Sequence, residues 1–214
     1  IDFNNKKIAI ENFPFSEREV KEFRRVIIVG CGTSFHAAMV GRNWIEELSG
    51  LPVETESASE FRYRNIPIDE HTLVVAIAQS GETADTLAAM DLAKSKGGRL
   101  LTICNVDGSQ ADRMAEGTLF MRTGLEIGVA STKTFVASMC LMALLSLHIG
   151  RTNGFLSEKS FEDSINHLAR LPNILGNMLS DHSQYSKLGR WLQRYEHVLY
   201  LGRGSTYPIA LEGA

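Results

Sequence analysis

Val26-Ile27-Ile28-Val29-Gly30-Cys31-Gly32-Thr33-Ser34-Phe35 decides the fold. The β-branched run reads as a strand buried on both faces, and the glycine-rich turn after it leads straight into a helix. Over residues 34–48, Ala37, Val40, Gly41, Trp44 and Leu48 recur at helical offsets, and Gly50 with Pro52 supplies the stop. The alternation continues outward: residues 73–78, 100–104, 118–121 and 198–201 read as strands, with 52–56 as one more. Residues 83–96 form a helical pattern with Ala84, Leu87, Ala88 and Leu92 on one face, closed by Gly97-Gly98, and 131–149 form the next long helix. Short apolar strands alternating with helices predict an α/β protein of three layers, α-β-α, around a parallel sheet.

The chain has 214 residues, with 22 Lys and Arg against 25 Asp and Glu, a net charge of −3 that argues against a uniformly basic nucleic-acid binder. Hydrophobic residues at 44% and charged residues at 22% are enough to bury a core. Cys31, Cys104 and Cys140 are odd in number and contain no C-x-x-C pair, so neither a disulfide framework nor a zinc site is encoded, and a cytoplasmic setting is expected. Residues 135–149 are too short for a membrane span of about 20 and contain Ser138, Ser146 and His148; they read as a buried helix, and no membrane association is expected. The chain opens with Ile1 and no signal peptide, as expected of a piece of something longer.

From 150 to 194 the strand signal vanishes, and two polar helical stretches, 158–171 and 185–195, are separated by Pro172 and a loop. Then Val-Gly-Cys-Gly-Thr-Ser-Phe of residues 29–35 returns as Leu-Gly-Arg-Gly-Ser-Thr-Tyr at 201–207. A duplicated α/β unit is the economical explanation. It predicts a lead-in over 1–24, a first unit over 25–150, a helical connector over 151–196 and the start of a second unit over 197–214. The last residues cannot bury a core alone, so they must pack on the first unit or on further chain.

Three strand-to-helix loops are rich in Gly, Ser, Thr and Gln: Gly30 to Ser34, Gln79 to Thr83, and Gly128 to Thr132. In a parallel sheet all three lie at the carboxyl edge, where ligands bind. Glycine lets the backbone approach closely, while hydroxyls and the N–H groups of a helix start suit a phosphate. Lys133 is the only cation near them, so the phosphate would rest on hydroxyls, amides and the helix dipole, and the surplus donors and acceptors suit a polyol attached to it. A sugar phosphate follows. Taken singly, each Ser or Thr is an ordinary helix N-cap; three such loops on one edge reverse that reading. Glu82 reads as a capping or solvated first-turn acid, Glu126 as a residue that orients the third loop, Cys31 as a packing residue and His36 as structural or solvated.

A dinucleotide site requires G-x-G-x-x-G, but Phe35 stands where the third glycine belongs; Glu54 or Glu56 falls near the distance of a ribose-binding acid and keeps the alternative open. A P-loop is absent, and no cofactor is expected.

With these loops the chain resembles the isomerase part of the glutamine–fructose-6-phosphate aminotransferase (glucosamine-6-phosphate synthase) family, which is built of two sugar isomerase, or SIS, domains. The resemblance covers essentially the whole chain. It is carried by Cys31-Gly32-Thr33-Ser34, the segment Ala58 to Arg64, Gln79-Ser80-Gly81-Glu82-Thr83 through Thr86, Glu126 through Lys133, Leu201-Gly202-Arg203-Gly204 and Leu211-Glu212-Gly213. It implies a flavodoxin-like parallel sheet and a substrate-binding set of Cys31, Gly32, Thr33, Ser34, Gln79, Ser80, Gly81, Thr83, Val129, Ala130 and Ser131. Ser80, Thr83 and the Gln79 region would hold the phosphate, Thr33 and Ser34 would touch sugar and phosphate, and Val129 with Ser131 would line the sugar side. The family pattern has Ser where this chain has Ala78.

The implied ligands are fructose 6-phosphate and glucosamine 6-phosphate, in the amination and ketose-to-aldose isomerisation of hexosamine biosynthesis. The implied partners are a glutaminase domain of the parent protein and a second copy in a homodimer. The resemblance places the family's catalytic Lys and Glu just after Ala214, its catalytic His on the neighbouring subunit and a further Lys in the C-terminal tail, so this chain would supply binding without turnover. The alternatives are a non-catalytic sugar-phosphate sensor of the same fold and a dinucleotide-binding enzyme.

Overall fold

The computed structural model describes residues 2, 5–10, 13–128 and 131–214. Its strands β1 (Arg25–Gly30), β2 (Val53–Ser57), β3 (Thr72–Ala78), β4 (Arg99–Cys104) and β5 (Gly117–Phe120) form one sheet in the order β2-β1-β3-β4-β5. Every pairing is parallel, with Val26 beside Val53 and Leu73, and Ile77 beside Ile103. The helices are α1 (Glu17–Glu22), α2 (Thr33–Ser49), α3 (Ala58–Phe61), α4 (Ala84–Ser95), α5 (Gln110–Met114), α6 (Lys133–Thr152), α7 (Glu158–Ser180), α8 (His182–Leu192) and α9 (Tyr207–Gly213).

Strand parity divides the core into two layers, because successive side chains leave a strand on opposite faces. Val26, Ile28, Val75 and Ile77 pack with Ala37, Ile45, Met142 and Leu145 of α2 and α6. Ile27, Val29, Val74 and Ala76 pack with Phe61 of α3 and Ala89, Met90 and Ala93 of α4. All seven residues of β3 are buried, as the central strand of a doubly covered sheet requires. Helices α2 and α6 approach closely at Gly41, where an added Cβ would come within 2.6 Å of Met142 Cε. Against the expectation that this segment is too short for a span, helix α6 has 20 residues and is long and apolar enough to cross a membrane by length and composition, but nine of its residues are buried here, against α2, the sheet and, at Leu147, α7.

Two expectations about the second half of the chain are overturned. Pro172 does not separate two helices: α7 runs through it to Ser180, because a proline removes one i→i−4 bond and the remaining ones carry the helix on. Residues 198–201 are not a strand. A strand exists only where a neighbour completes its ladder, and the five-stranded sheet ends without them, leaving Leu199 and Leu201 87% and 88% exposed. The repeated turn after them does open a helix: Gly204–Thr206 forms a 3-10 turn that runs into α9, and α9 packs on α2.

Candidate functional site

The chain leaves β1 toward β2, then crosses back to the other side of β1 to form β3. That reversal opens a crevice at the carboxyl ends of β1 and β3, where side-by-side loops diverge. Here lies a cavity of about 230 Å³ lined by Cys31, Thr33 and Ser34 after β1, by Ala78, Gln79, Ser80 and Thr83 after β3, and by Glu126, Gly128 and Ser131 before α6. The three hydroxyl-rich loops thus share one cavity. It lies below the roughly 300 Å³ usual for larger organic ligands, and suits a monosaccharide better than a dinucleotide.

The second loop is shaped by Gly81, whose φ of +70° turns the chain so tightly that an added Cβ would lie 2.5 Å from Ser109 Cβ and 2.8 Å from Cys104 Sγ. The Gly81 carbonyl accepts the Ala111 N–H at 3.0 Å, and the Gln79 carbonyl accepts that of Asn105 at 3.1 Å, so the middle of the loop is tied to α5 and its start to the chain just after β4. Thr83 stands at the N-cap of α4, yet its side chain makes no capping bond. Ser80 Oγ accepts the Glu82 N–H at 3.2 Å, which leaves its proton to give. Both hydroxyls border the cavity with a donor to offer, beside the positive end of a helix dipole.

The first and third loops have the opposite character. Glu126 crosses the start of α6 and accepts from Ser131 Oγ at 2.7 Å, Lys133 N–H at 2.8 Å, Thr132 N–H at 3.1 Å, Thr134 N–H at 3.3 Å and, closest of all, Thr134 Oγ1. The Thr134 and Ser131 hydroxyls, then the Lys133 and Thr132 amides, hold its carboxyl well below the usual carboxylate range. Ser131 and Thr134 also touch each other, and whichever donates, both protons stay inside this cluster. This helix end, suited to an anion, is therefore already filled by one. At the first loop, Thr33 Oγ1 donates to Glu212 Oε1 at 2.7 Å, and His36 Nδ1 lies 2.6 Å from Glu212 Oε2. Lys133 turns its ammonium to the carbonyls of Leu125 at 2.9 Å and Thr123 at 3.4 Å and does not line the cavity.

Of the residues singled out from sequence, Cys31, Thr33, Ser34, Gln79, Ser80, Thr83 and Ser131 line the cavity. Gly32 is the N-cap of α2 and Gly81 the pivot of the second loop, while Val129 and Ala130 lie outside the described residues. Glu126 orients the third loop as its position suggested. Glu82 caps a helix other than its own, accepting the Gln110 N–H at the start of α5 at 2.8 Å. His36 is structural, one of the two roles its position allowed: it holds Glu212. Glu54 and Glu56 both grip Arg64, the first at 2.5 Å, so neither is left waiting for a ribose. Sequence reasoning gave Thr86, Thr134, Ser138 and Glu212 no role in the site, although Thr86 and Glu212 stand in segments that carry the family resemblance. The first three carried a signal, hydroxyls on buried helix faces; Glu212 carried only its place in the Leu211-Glu212-Gly213 segment, which assigns it no partner.

A family model described as "SIS domain" matches residues 20–147, more than half of the chain. The chain belongs to the SIS domain family. This SIS protein is 46% identical over 192 residues to a glutamine–fructose-6-phosphate aminotransferase (isomerizing) of Pseudomonas syringae, an alignment covering 89% of this chain and 31% of that protein. It is 41% identical over 210 residues to the protein of the same name from Thermotoga maritima, covering 98% of this chain and 34% of that one. The SIS chain thus spans about a third of the length of the curated relatives it matches. Among solved structures, the C-terminal domain of glucosamine-fructose-6-phosphate aminotransferase from Francisella tularensis superposes with a TM-score of 0.92 at 32% identity, over 98% of this chain and 59% of that one. A glucosamine-6-phosphate deaminase from Thermotoga maritima, at 20% identity and a TM-score of 0.68, covering 99% of this chain and 63% of that one, shares the fold.

Proposed function

We propose that the chain is the phosphosugar-binding isomerase part of a glutamine–fructose-6-phosphate aminotransferase of hexosamine biosynthesis, and that its cavity holds fructose 6-phosphate and glucosamine 6-phosphate. The observation that carries this reading is the division of hydroxyls around one cavity. Ser80 and Thr83 have protons to give, as a phosphate requires, while Thr33 and Ser131 have spent theirs and offer lone pairs, as sugar hydroxyls require. Both engaged carboxylates, Glu126 and Glu212, stand at the first and third loops, so the anionic end of a ligand is driven to the second.

Among the described residues lining the cavity, only Cys31 and Glu126 are titratable, and Glu126 has its lone pairs occupied and its proton affinity depressed. It is a poor base for moving a proton between sugar carbons. The site as lined here binds and orients, and we assign proton transfer and ammonia delivery to other parts of the assembly, including a glutaminase domain. Residues 25–150 form the binding unit, 151–196 a connector and 197–214 the opening of a second unit whose α9 already docks on the first. An apolar groove of about 470 Å³ between α2, α6 and α7, lined by Trp44, Met139, Leu171 and Leu175, supports a further covering surface such as the second copy in a homodimer. The setting is cytoplasmic, in keeping with three free thiols.

Calorimetric titration with glucosamine 6-phosphate, with unphosphorylated glucosamine and NAD as controls, tests the reading. Saturable binding of the phosphorylated sugar alone is expected. A folded sample that ignores it, or that prefers NAD, refutes the assignment.

A further inference from the structure

We propose that Glu212 is a positioning residue for the ligand: by taking the proton of Thr33 it turns the first loop into an acceptor, so that Thr33 receives a bond from a sugar hydroxyl or ammonium and stays off the phosphate. This rests on the phosphosugar reading of the cavity. A hydroxyl has one proton and two lone pairs, and a carboxylate has no proton to return, so the 2.7 Å bond from Thr33 Oγ1 to Glu212 Oε1 fixes the polarity of the oxygen that faces the cavity. His36 secures the arrangement from the other side. Its Nδ1–H donates to Oε2 at 2.6 Å, and the Glu212 side chain is only 18% exposed, so the carboxylate is held in one orientation.

The acid arrives from α9, 179 residues along the chain from Thr33, on the helix that follows the copied glycine turn. Its charge behind the first loop also disfavours a phosphate there, which agrees with the free donors of Ser80 and Thr83 at the second loop. A docking role alone, in which Glu212 merely fastens α9 to α2, predicts different behaviour and is separable by a double-mutant cycle.

Wild type, Thr33→Val, Glu212→Ala and the double variant are titrated with glucosamine 6-phosphate and, separately, with inorganic phosphate, each after thermal unfolding shows it folded. Glu212→Ala should weaken glucosamine 6-phosphate by about three- to tenfold, the worth of one ordinary hydrogen bond. In the Thr33→Val background the same change should alter affinity by less than about twofold. Inorganic phosphate should bind Glu212→Ala as it binds wild type, and Thr33→Ser should restore wild-type affinity for the sugar. Equal losses in both backgrounds, no loss at all, or a parallel loss of inorganic phosphate overturn the proposal. Should Glu212→Ala fail to fold, Glu212→Gln keeps the length needed to dock α9 and is expected to show the same cycle with a smaller loss. A wild type that does not bind glucosamine 6-phosphate overturns the phosphosugar reading itself, a result distinct from an additive cycle in a protein that binds.

Discussion

Gly81→Ala is expected to destabilise the protein by about 2–5 kcal/mol, in two separable parts. The backbone part comes from a φ of +70°, which costs an L-residue about 1–2 kcal/mol. The packing part comes from a Cβ placed 2.5 Å from Ser109 Cβ and 2.8 Å from Cys104 Sγ, overcrowding worth about 1–3 kcal/mol. Ser109 cannot swing aside freely: it is 3% exposed, caps α5 through the Asp112 N–H at 3.4 Å and touches Cys104 Sγ at 3.4 Å. Urea unfolding of wild type, Gly81→Ala, Ser109→Gly and the double variant separates the two parts. Ser109→Gly alone should cost only a few tenths of a kcal/mol, the usual price of a glycine N-cap. In the double variant the crowding by Ser109 is relieved, and the backbone part with a remainder from Cys104 should persist. Because Gly81 sets the angle between Ser80 and Thr83, affinity for glucosamine 6-phosphate should fall with it. An unchanged denaturant midpoint in Gly81→Ala, or strictly additive losses in the cycle, would refute the placement of this loop against α5.

Ala78→Ser places a hydroxyl on the cavity wall at the end of β3, and should tighten both glucosamine 6-phosphate and inorganic phosphate by about tenfold in calorimetry; no gain means the anion lies elsewhere. Glu126→Gln removes the charge that gathers the start of α6 and should cost about 1–2 kcal/mol in urea unfolding while weakening the sugar; a neutral result would mean that the loop holds its shape without the acid. Glu19 has its carboxyl lowered from 4.5 to about 2, first by the Ser16 backbone N–H, then by the Ser16 hydroxyl and Arg99. A folded-state value below the unfolded one contributes stability that is complete above about pH 4.5 and is lost as pH falls toward 2. The denaturant midpoint of wild type should therefore drop more steeply across that window than that of Glu19→Gln, and parallel curves would remove Glu19 from the account.

The sheet was legible because its strands leave little choice. The seven residues of β3 form an apolar run that only a doubly covered strand can bury, and α2 and α6 are long enough for their periods to register. Helices α1, α3 and α5, of 6, 4 and 5 residues, are shorter than two turns and leave no periodic trace. Residues 198–201 have the composition of a strand, and composition cannot supply the neighbour that a ladder needs. The three candidate ligand loops were legible for a topological reason, since every βα turn of a parallel sheet emerges on one edge. What was hidden is the commitment of their protons. Thr33 and Thr83 look alike in sequence, and only the fold shows that one hydroxyl is already taken by Glu212 and the other by nothing among the described residues.

On the phosphosugar reading, that commitment lets the cavity hold a dianion although no Lys or Arg stands among the described residues that line it. A lysine or arginine placed among these loops would lie within reach of Glu126, and the nearest one, Lys133, is turned away to two carbonyls. An ammonium inside would be neutralised by its own protein before a ligand arrived, and its strong hydration would have to be stripped as well. Hydroxyls and helix amides avoid both costs: they donate without carrying charge, and they need no counter-ion when the site is empty. The carboxylates can then serve a different end, fixing which hydroxyls give and which receive. Two anions at the first and third loops, with donors at the second, form a field with a direction, which on the proposed reading gives a phosphosugar one preferred sense of entry. On that reading, specificity of orientation is built before any contact to a particular sugar carbon is made, with Thr33 and Ser131 as acceptors on the cavity wall and α9 behind Thr33 through Glu212.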